Sequence, residues 1–290
     1  MIGYIDVGGG MRAVYGAGVL DRLLDDNVKF SCYVGVSAGS ANIISHLGGH
    51  RERTLRFYRD YSYHKEYMGF KLWVKNKSYI NLDYIYSTLT DEDGLDPLNY
   101  EVFEKNNAQF YVVTTDSVTG KPCYLDRSFI AKNDCFAIKA SCSIPLFCPP
   151  RSKNGVSYFD GGVADPIPIR KAFELGCDKV VVTLTLPKDF HKNHKFPEWL
   201  YPIIVHKYPE MAVKMYEMID KYNEDLEYIK ELEKQGKVLV LSPDDCCGIT
   251  TLKRTKEGIE KLYNKGYQDA YKVKKFLLPQ ENMCEKQENQ

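Results

Sequence analysis

Cys32-Tyr33-Val34-Gly35-Val36-Ser37-Ala38-Gly39-Ser40-Ala41-Asn42-Ile43-Ile44 is the stretch on which the fold of this chain turns. Its first five residues are a short apolar run, and the spacing predicts a strand over Cys32 to Val36. A helix is expected from Ala38 to Leu47. Between them lies a G-x-S-x-G, Gly35 to Gly39. A serine on a tight strand-to-helix turn must expose its Oγ, and glycines on both flanks remove side chains that would clash there. The positive end of the following helix faces that oxygen. Ser37 is thus a candidate nucleophile and Gly35 and Gly39 form its elbow; the bland alternative is a flexible Gly/Ser loop.

Outward from this unit, short apolar runs alternate with segments of helical period, the pattern of a parallel sheet covered by helices. Strands are expected at Ile2 to Asp6, Gln109 to Thr115, Val180 to Leu186 and Val238 to Leu241, with a shorter one at Val156 to Phe159. The first reads as an edge-to-core strand. A helix is expected from Arg12 to Asp26, with Val14, Ala17, Leu20, Leu23 and Leu24 on one face. Two later helices carry Met215 to Ile229 and Ile259 to Tyr271 at spacings of three and four. The fold class is α/β with a mostly parallel central sheet. The 290 residues allow one large domain or two modest ones at about 100 to 200 residues each. No linker or repeat divides the chain, so residues 1–279 are read as one domain and 280–290 as a polar tail.

Two further elements carry chemistry. Gly8-Gly9-Gly10-Met11-Arg12 sits between the first strand and the first helix. Consecutive glycines let backbone N–H groups converge on one point, an anion nest that suits a phosphate or an oxyanion. Gly8-x-Gly10-x-x-Ala13 also fits a dinucleotide fingerprint, but that reading needs an acidic residue closing the second strand, and here the strand ends in Val36-Ser37. The third element is Asp160-Gly161-Gly162, which follows a strand; Asp-Gly is also the commonest plain turn. Asp93-Gly94 serves as its control, in an acidic loop with no strand before it.

Lys plus Arg and Asp plus Glu each total 39, leaving no net charge, whereas dedicated nucleic-acid binders show a basic excess. The nine cysteines contain no C-x-x-C pair, so neither a zinc site nor a disulfide framework is indicated and a reducing cytoplasm is expected. The start, Met1 to Asp6, lacks the features of a signal peptide. The uncharged stretch from Phe30 to Gly49 has the length of a membrane span, but it carries four Ser, Asn42 and His46. None of the six histidines has a catalytic setting: His46 and His50 straddle Gly48-Gly49, and His191 and His194 lie in a polar loop. A Ser-His-Asp triad stays open, without a nominated histidine.

The three elements, in this order, resemble the patatin-like phospholipases, and the likeness runs from about Tyr4 to Pro168. That family has a Gly-rich oxyanion loop ending in Arg or Lys, a G-x-S-x-G elbow and a D-G-[GA] turn. The block Ala140-Ser141-Cys142-Ser143-Ile144-Pro145-Leu146-Phe147 is similar to the family's A-S-x-A-x-P-x-x-F, with Ser143 for the second Ala and Phe147 one position early. Asp165 stands where the family often has Asn. The resemblance implies a three-layer α/β/α sandwich and a Ser-Asp dyad without histidine. Ser37 would attack an ester carbonyl and Asp160 would take its proton. The Gly8, Gly9, Gly10 and Met11 amides would hold the oxyanion, with Arg12 bracing the loop, meeting an anionic head group, or pairing with a surface carboxylate. No metal or cofactor is implied. The expected partner is a lipid or ester substrate, with peripheral contact to a membrane surface; nothing sets the oligomeric state. A soluble carboxylesterase or acyltransferase, and an inactive acyl-chain binding protein, are the competing readings.

Residues 57–86 hold ten aromatics in thirty positions, with Lys65, Lys71, Lys75 and Lys77 among them. They read either as a lipid-facing cap over the Ser37 cleft or as core helices covering the sheet, Phe57, Tyr58 and Tyr61 having helical spacing.

Overall fold

Side chains along a strand alternate in direction, and here that alternation separates two cores. Tyr4, Tyr33, Phe110, Val112 and Val181 face one side of the sheet, and Ile5, Val34, Val36, Val180 and Val182 face the other. The computed structural model describes residues 1–193 and 206–278; the expected tail and His194 lie outside them. Its strands are β1 (Ile2–Asp6), β2 (Cys32–Val36), β3 (Gln109–Asp116), β4 (Pro122–Leu125), β5 (Arg151–Lys153), β6 (Val156–Asp160), β7 (Lys179–Thr183) and β8 (Val238–Leu241). On the first face pack helices α1 (Val14–Asp25), α2 (Ala38–Leu47), α6 (Phe136–Ser141) and α9 (Lys256–Asp269). The second face is covered by α7 (Ile169–Glu174) and α8 (Pro209–Lys234). This is a three-layer α/β/α sandwich.

Strands β3, β2, β1, β7 and β8 run side by side and parallel. β1 therefore lies in the middle of the sheet, not at the edge-to-core position expected of it. β4 and β6 pair antiparallel with β3, and β5 continues antiparallel from β6. β4 and β5 escaped the sequence reading because four and three residues give too short a period to count. β7 stops at Thr183, short of the expected Leu186; beyond it the Leu184 amide still donates to the Leu241 carbonyl at 2.8 Å, and the Thr185 hydroxyl turns to the Gly-rich loop. The expected helix from Arg12 begins two residues later, at Val14, after a 3-10 turn at Gly10–Ala13. The last expected helix is two, α9 and α10 (Tyr271–Leu277), broken at Ala270.

The aromatic-rich region is buried on both sides of one exposed helix that follows Gly69. Before Gly69, around α3 (Arg53–Arg59), Tyr58 and Tyr67 are buried in the core. After it, α4 (Phe70–Asn76) buries nothing: Phe70, Trp73 and Val74 are 67 %, 49 % and 69 % exposed. Beyond α4 the chain returns to the core, where Ile80, Leu82, Tyr84 and Tyr86 are buried, so the core reading describes most of the region and α4 stands apart as its exposed part.

α9 is joined to α1 by a close seam. Tyr15 Oη donates to Asp269 Oδ2 at 2.8 Å and Tyr263 Oη to Asp21 Oδ2 at 2.7 Å. A Cβ on Gly18 would stand 2.0 Å from the Tyr263 carbonyl oxygen. Alanine there would gain about 1 kcal/mol of helix propensity yet force the helices apart, at about 1 to 3 kcal/mol. Gly18→Ala should accordingly lower the urea midpoint; a raised midpoint would contradict the seam.

Candidate active site

β3 acts as the ruler of the site. Val113 pairs with Val36 on one side and Tyr124 on the other, while Thr114 pairs with Cys123 and Asp160. β4 therefore occupies one edge of β3, and β2 and β6 share the opposite edge end to end. Ser37, the residue after β2, and Asp160, the last of β6, are brought together where those two strands meet. Ser37 Oγ donates to Asp160 Oδ2 at 2.6 Å across 123 positions of sequence.

Ser37 has φ 52° and ψ −128°, a backbone state that costs roughly 1 to 3 kcal/mol for a residue with a Cβ. The surroundings hold it there. Its amide donates to Ser141 Oγ at 2.7 Å, and Ser141 Oγ donates to the Val113 carbonyl at 2.6 Å. Ser40 Oγ donates to the Ser37 carbonyl at 2.6 Å. Gly39 lies so close to β1 that a Cβ would be 2.2 Å from the Asp6 carbonyl oxygen, and one on Gly35 would strike Ser40 Cα at 2.5 Å.

Asp160 is held by the same block. Its amide donates to the Ser143 carbonyl at 2.9 Å, and its Oδ1 accepts the Gly162 amide at 2.8 Å. Ser141 and Ser143 thus clamp both halves of the pair, a role the sequence did not reveal. The A-S-x-S block was visible as a string, but its contacts form only on folding. Burial raises the Asp160 carboxyl to about 6, against the pull of the Ser37 hydroxyl, the Gly162 amide and the charge of Lys192. Lys192, another residue missed, is lowered to about 8 by burial and by the charge of Arg12. Its Nζ stands 3.8 Å over the Tyr222 ring.

The Gly-rich loop lies against the elbow, where a Cβ on Gly8 would be 2.8 Å from Ser37 Cβ. Thr185 Oγ1 donates to the Gly8 carbonyl at 2.9 Å. The Met11 amide donates to the Thr251 carbonyl at 3.1 Å, so it is committed, and the amides of the nest narrow to Gly8, Gly9 and Gly10. Arg12 pairs with no carboxylate among the described residues, contrary to the surface-pair reading. Its Nε is buried without a partner, and burial lowers its pKa.

Ser37 and Gly10 line a pocket walled mainly by Ala41, Ile44, Tyr58, Tyr67, Ile80, Leu82 and Ile85. A polar group marks part of its lining, where Arg53 donates to Ser45 Oγ, Thr90 Oγ1 and the Asp96 carbonyl. No histidine among the described residues meets Ser37 or Asp160. His46 is buried against Tyr33 and the Leu20 carbonyl, and burial lowers it to about 4. Asp93, the control, lies in an exposed loop.

A serine on the strand-to-helix turn of a mostly parallel, helix-covered sheet defines the class of protein as an α/β/α sandwich carrying an elbow-like G-x-S-x-G turn. The chain belongs to the patatin-like phospholipase family, whose sequence model matches residues 7–173. A domain of unknown function (DUF6363) matches residues 208–278. The Escherichia coli (strain K12) protein YjjU is 26 % identical over 194 residues, 66 % of this chain and 53 % of its own length. The chain thus spans about half of that relative. The crystal structure of VipD from Legionella pneumophila matches with a TM-score of 0.51 at 12 % identity, over 93 % of this chain and 66 % of that one. That likeness is one of fold. Among the described residues no helix is long and apolar enough to cross a membrane.

The raised Asp160 pKa is also a statement about stability. A folded-state carboxyl raised from 3.8 to about 6 favours folding below the unfolded value and loses that advantage as pH rises through about 6. Two units amount to roughly 3 kcal/mol. Asp160→Asn should therefore melt higher than the wild type at pH 8 and nearly level with it at pH 4; the opposite ordering in calorimetry would contradict the burial.

Proposed function

We propose that this protein is a lipid acyl hydrolase that works through a Ser37–Asp160 dyad and an acyl-enzyme. The observation that carries the reading is the 2.6 Å hydrogen bond from Ser37 Oγ to a buried carboxylate beside an apolar pocket. Ser37 Oγ attacks the ester carbonyl as its proton passes to Asp160 Oδ2. The Gly8, Gly9 and Gly10 amides receive the tetrahedral oxyanion. Asp160 returns the proton to the leaving alcohol, then draws one from the water that opens the acyl-enzyme. A base raised to about 6 is better matched to this work near neutral pH than one at 3.8. The apolar pocket suits a fatty acyl chain, and no step calls for a cofactor.

α4 favours a lipid surface over small soluble esters. Phe70, Trp73 and Val74 stand out from the protein beside exposed Lys71, Lys75 and Lys77. Aromatic side chains sit well at the membrane boundary, and each lysine would add about 1 kcal/mol at an anionic surface. Residues 67, 80 and 82, flanking α4, line the acyl pocket. The competing acyl-chain binder differs by having no activated serine.

Ser37→Ala and Asp160→Asn should each lower hydrolysis of a short-chain ester by roughly a thousandfold, with the double variant little worse, since the two act as a unit. Asp93→Asn should leave it unchanged; equal loss at both aspartates would remove Asp160 as the base. Failure of a fluorophosphonate to label Ser37 would favour the binder. The kcat/KM profile should rise with pH through about 6 and then level off, because the base form is the active one. That midpoint falls in the imidazole range, so the distinguishing sign is that it keeps its position on warming, as a carboxyl does, and survives replacement of every histidine.

Replacing both Phe70 and Trp73 by Ser should weaken activity on anionic vesicles at least tenfold more than on a soluble ester, with the melting temperature unchanged. Parallel loss on both substrates with a lower melting point would retire the membrane role.

A further inference from the structure

The stretch matched to a domain of unknown function contains a loop, residues 246–254, that leaves β8 and crosses the candidate site before α9. Three of its contacts converge there. The Thr251 carbonyl accepts the Met11 amide at 3.1 Å and stands so near Gly10, at φ +56°, that a Cβ there would be 2.2 Å away. Thr251 and Leu252 line the same pocket as Ser37. Arg254 then reaches over to the aromatic segment: its guanidinium donates to the Ser62 carbonyl, to Met68 Sδ at 3.2 Å and back to the Leu252 carbonyl at 3.3 Å. It also lies 5.0 Å from the Tyr63 ring centre and 5.5 Å from that of Tyr67.

Arg254 has no carboxylate partner among the described residues, and its Nε is buried without an acceptor. A half-buried cation satisfied by neutral carbonyls, sulfur and rings is a costly way to gain stability; its geometry suits holding one segment against another. The segment it holds matters to the site. Tyr67 walls the acyl pocket, and its hydroxyl reaches Met11 Sδ at 3.9 Å. Ser62 Oγ donates to the Tyr58 carbonyl at 2.7 Å, and Tyr58 is a second wall residue.

We propose that residues 246–254 complete the active site, with the Thr251 carbonyl fixing the oxyanion loop and Arg254 acting as a positioning residue that keeps the aromatic wall in place for long acyl chains. The inference rests on the hydrolase reading above and assigns a role to the C-terminal stretch. A decanoyl chain, eight carbons longer than an acetyl group, would cover more of the wall that Arg254 holds. Arg254 therefore sets chain-length selectivity, mainly through KM.

The test uses the full chain, with kcat and KM measured on p-nitrophenyl acetate and p-nitrophenyl decanoate. Arg254→Ala should lower the decanoate-to-acetate ratio of kcat/KM at least fivefold, carried by KM, and Arg254→Lys should recover at least half of the wild-type ratio because an ammonium still reaches the Ser62 carbonyl. A smaller fall, or a fall carried by kcat on both esters, overturns the proposal. Should Arg254→Ala not fold, Tyr63→Leu, which takes one ring from the arginine, decides the matter: the ratio halves or the proposal falls. Calorimetric binding of decanoate to Ser37→Ala, with and without Arg254→Ala, reads the same wall without chemistry and should weaken at least fivefold. Absence of fluorophosphonate labelling in the wild type would count against the hydrolase reading alone; labelling with an unaltered chain-length ratio and unaltered decanoate binding would count against Arg254 alone.

Discussion

Two strands meeting end to end on one edge of β3 bring the whole candidate site into being. β2 covers that edge as far as Val113 and β6 takes over at Thr114, so the turn that starts α2 and the turn that ends β6 face each other. Register is unforgiving in such an arrangement, because a slip of one residue sends every side chain of a strand to the opposite face. Asp160 would then point away from Ser37. The Ser141–Ser143 clamp ties both turns to the same short helix end, which makes the spacing between hydroxyl and carboxylate a property of the packed core rather than of either loop.

That placement has an electrostatic cost. The carboxylate is removed from water with one hydroxyl, one amide and a distant lysine to offset its charge. The strained φ of Ser37 adds to it. Both features fit the proposed reactive site, held by a rigid frame in which stability is given up locally for chemistry. Arg12 and Lys192 follow the same pattern: burial lowers both cations, and the charge of Arg12 lowers Lys192 further.

The two matched family stretches divide the chain, but the physical structure does not divide with them. β8 hydrogen-bonds along β7 in the same sheet, α9 meets α1 at a seam of glycines, and the 246–254 loop touches the Gly-rich loop directly. A stretch that adds a strand, a covering helix and a pocket wall is part of one core with the first.

The sequence by itself determined the class of fold and nominated the groups proposed to react. Alternating apolar runs and helical periods define a parallel sheet with helices, and Gly35-x-Ser37-x-Gly39, Gly8 to Arg12 and Asp160-Gly161 mark three turns, because turn chemistry depends on residues adjacent in the chain. It could not tell which amide of the Gly-rich loop is committed elsewhere, since Met11 gives its proton to Thr251, 240 positions away. Nor could it single out α4 within the aromatic stretch, because Tyr67 and Phe70 look alike until packing buries one and leaves the other in water. Lys192, Thr251 and Arg254 carry no local signature, and Ser141 stands in a recognisable block whose contacts the string does not disclose. Their roles are contacts between distant segments, and only the tertiary structure decides which distant segments touch.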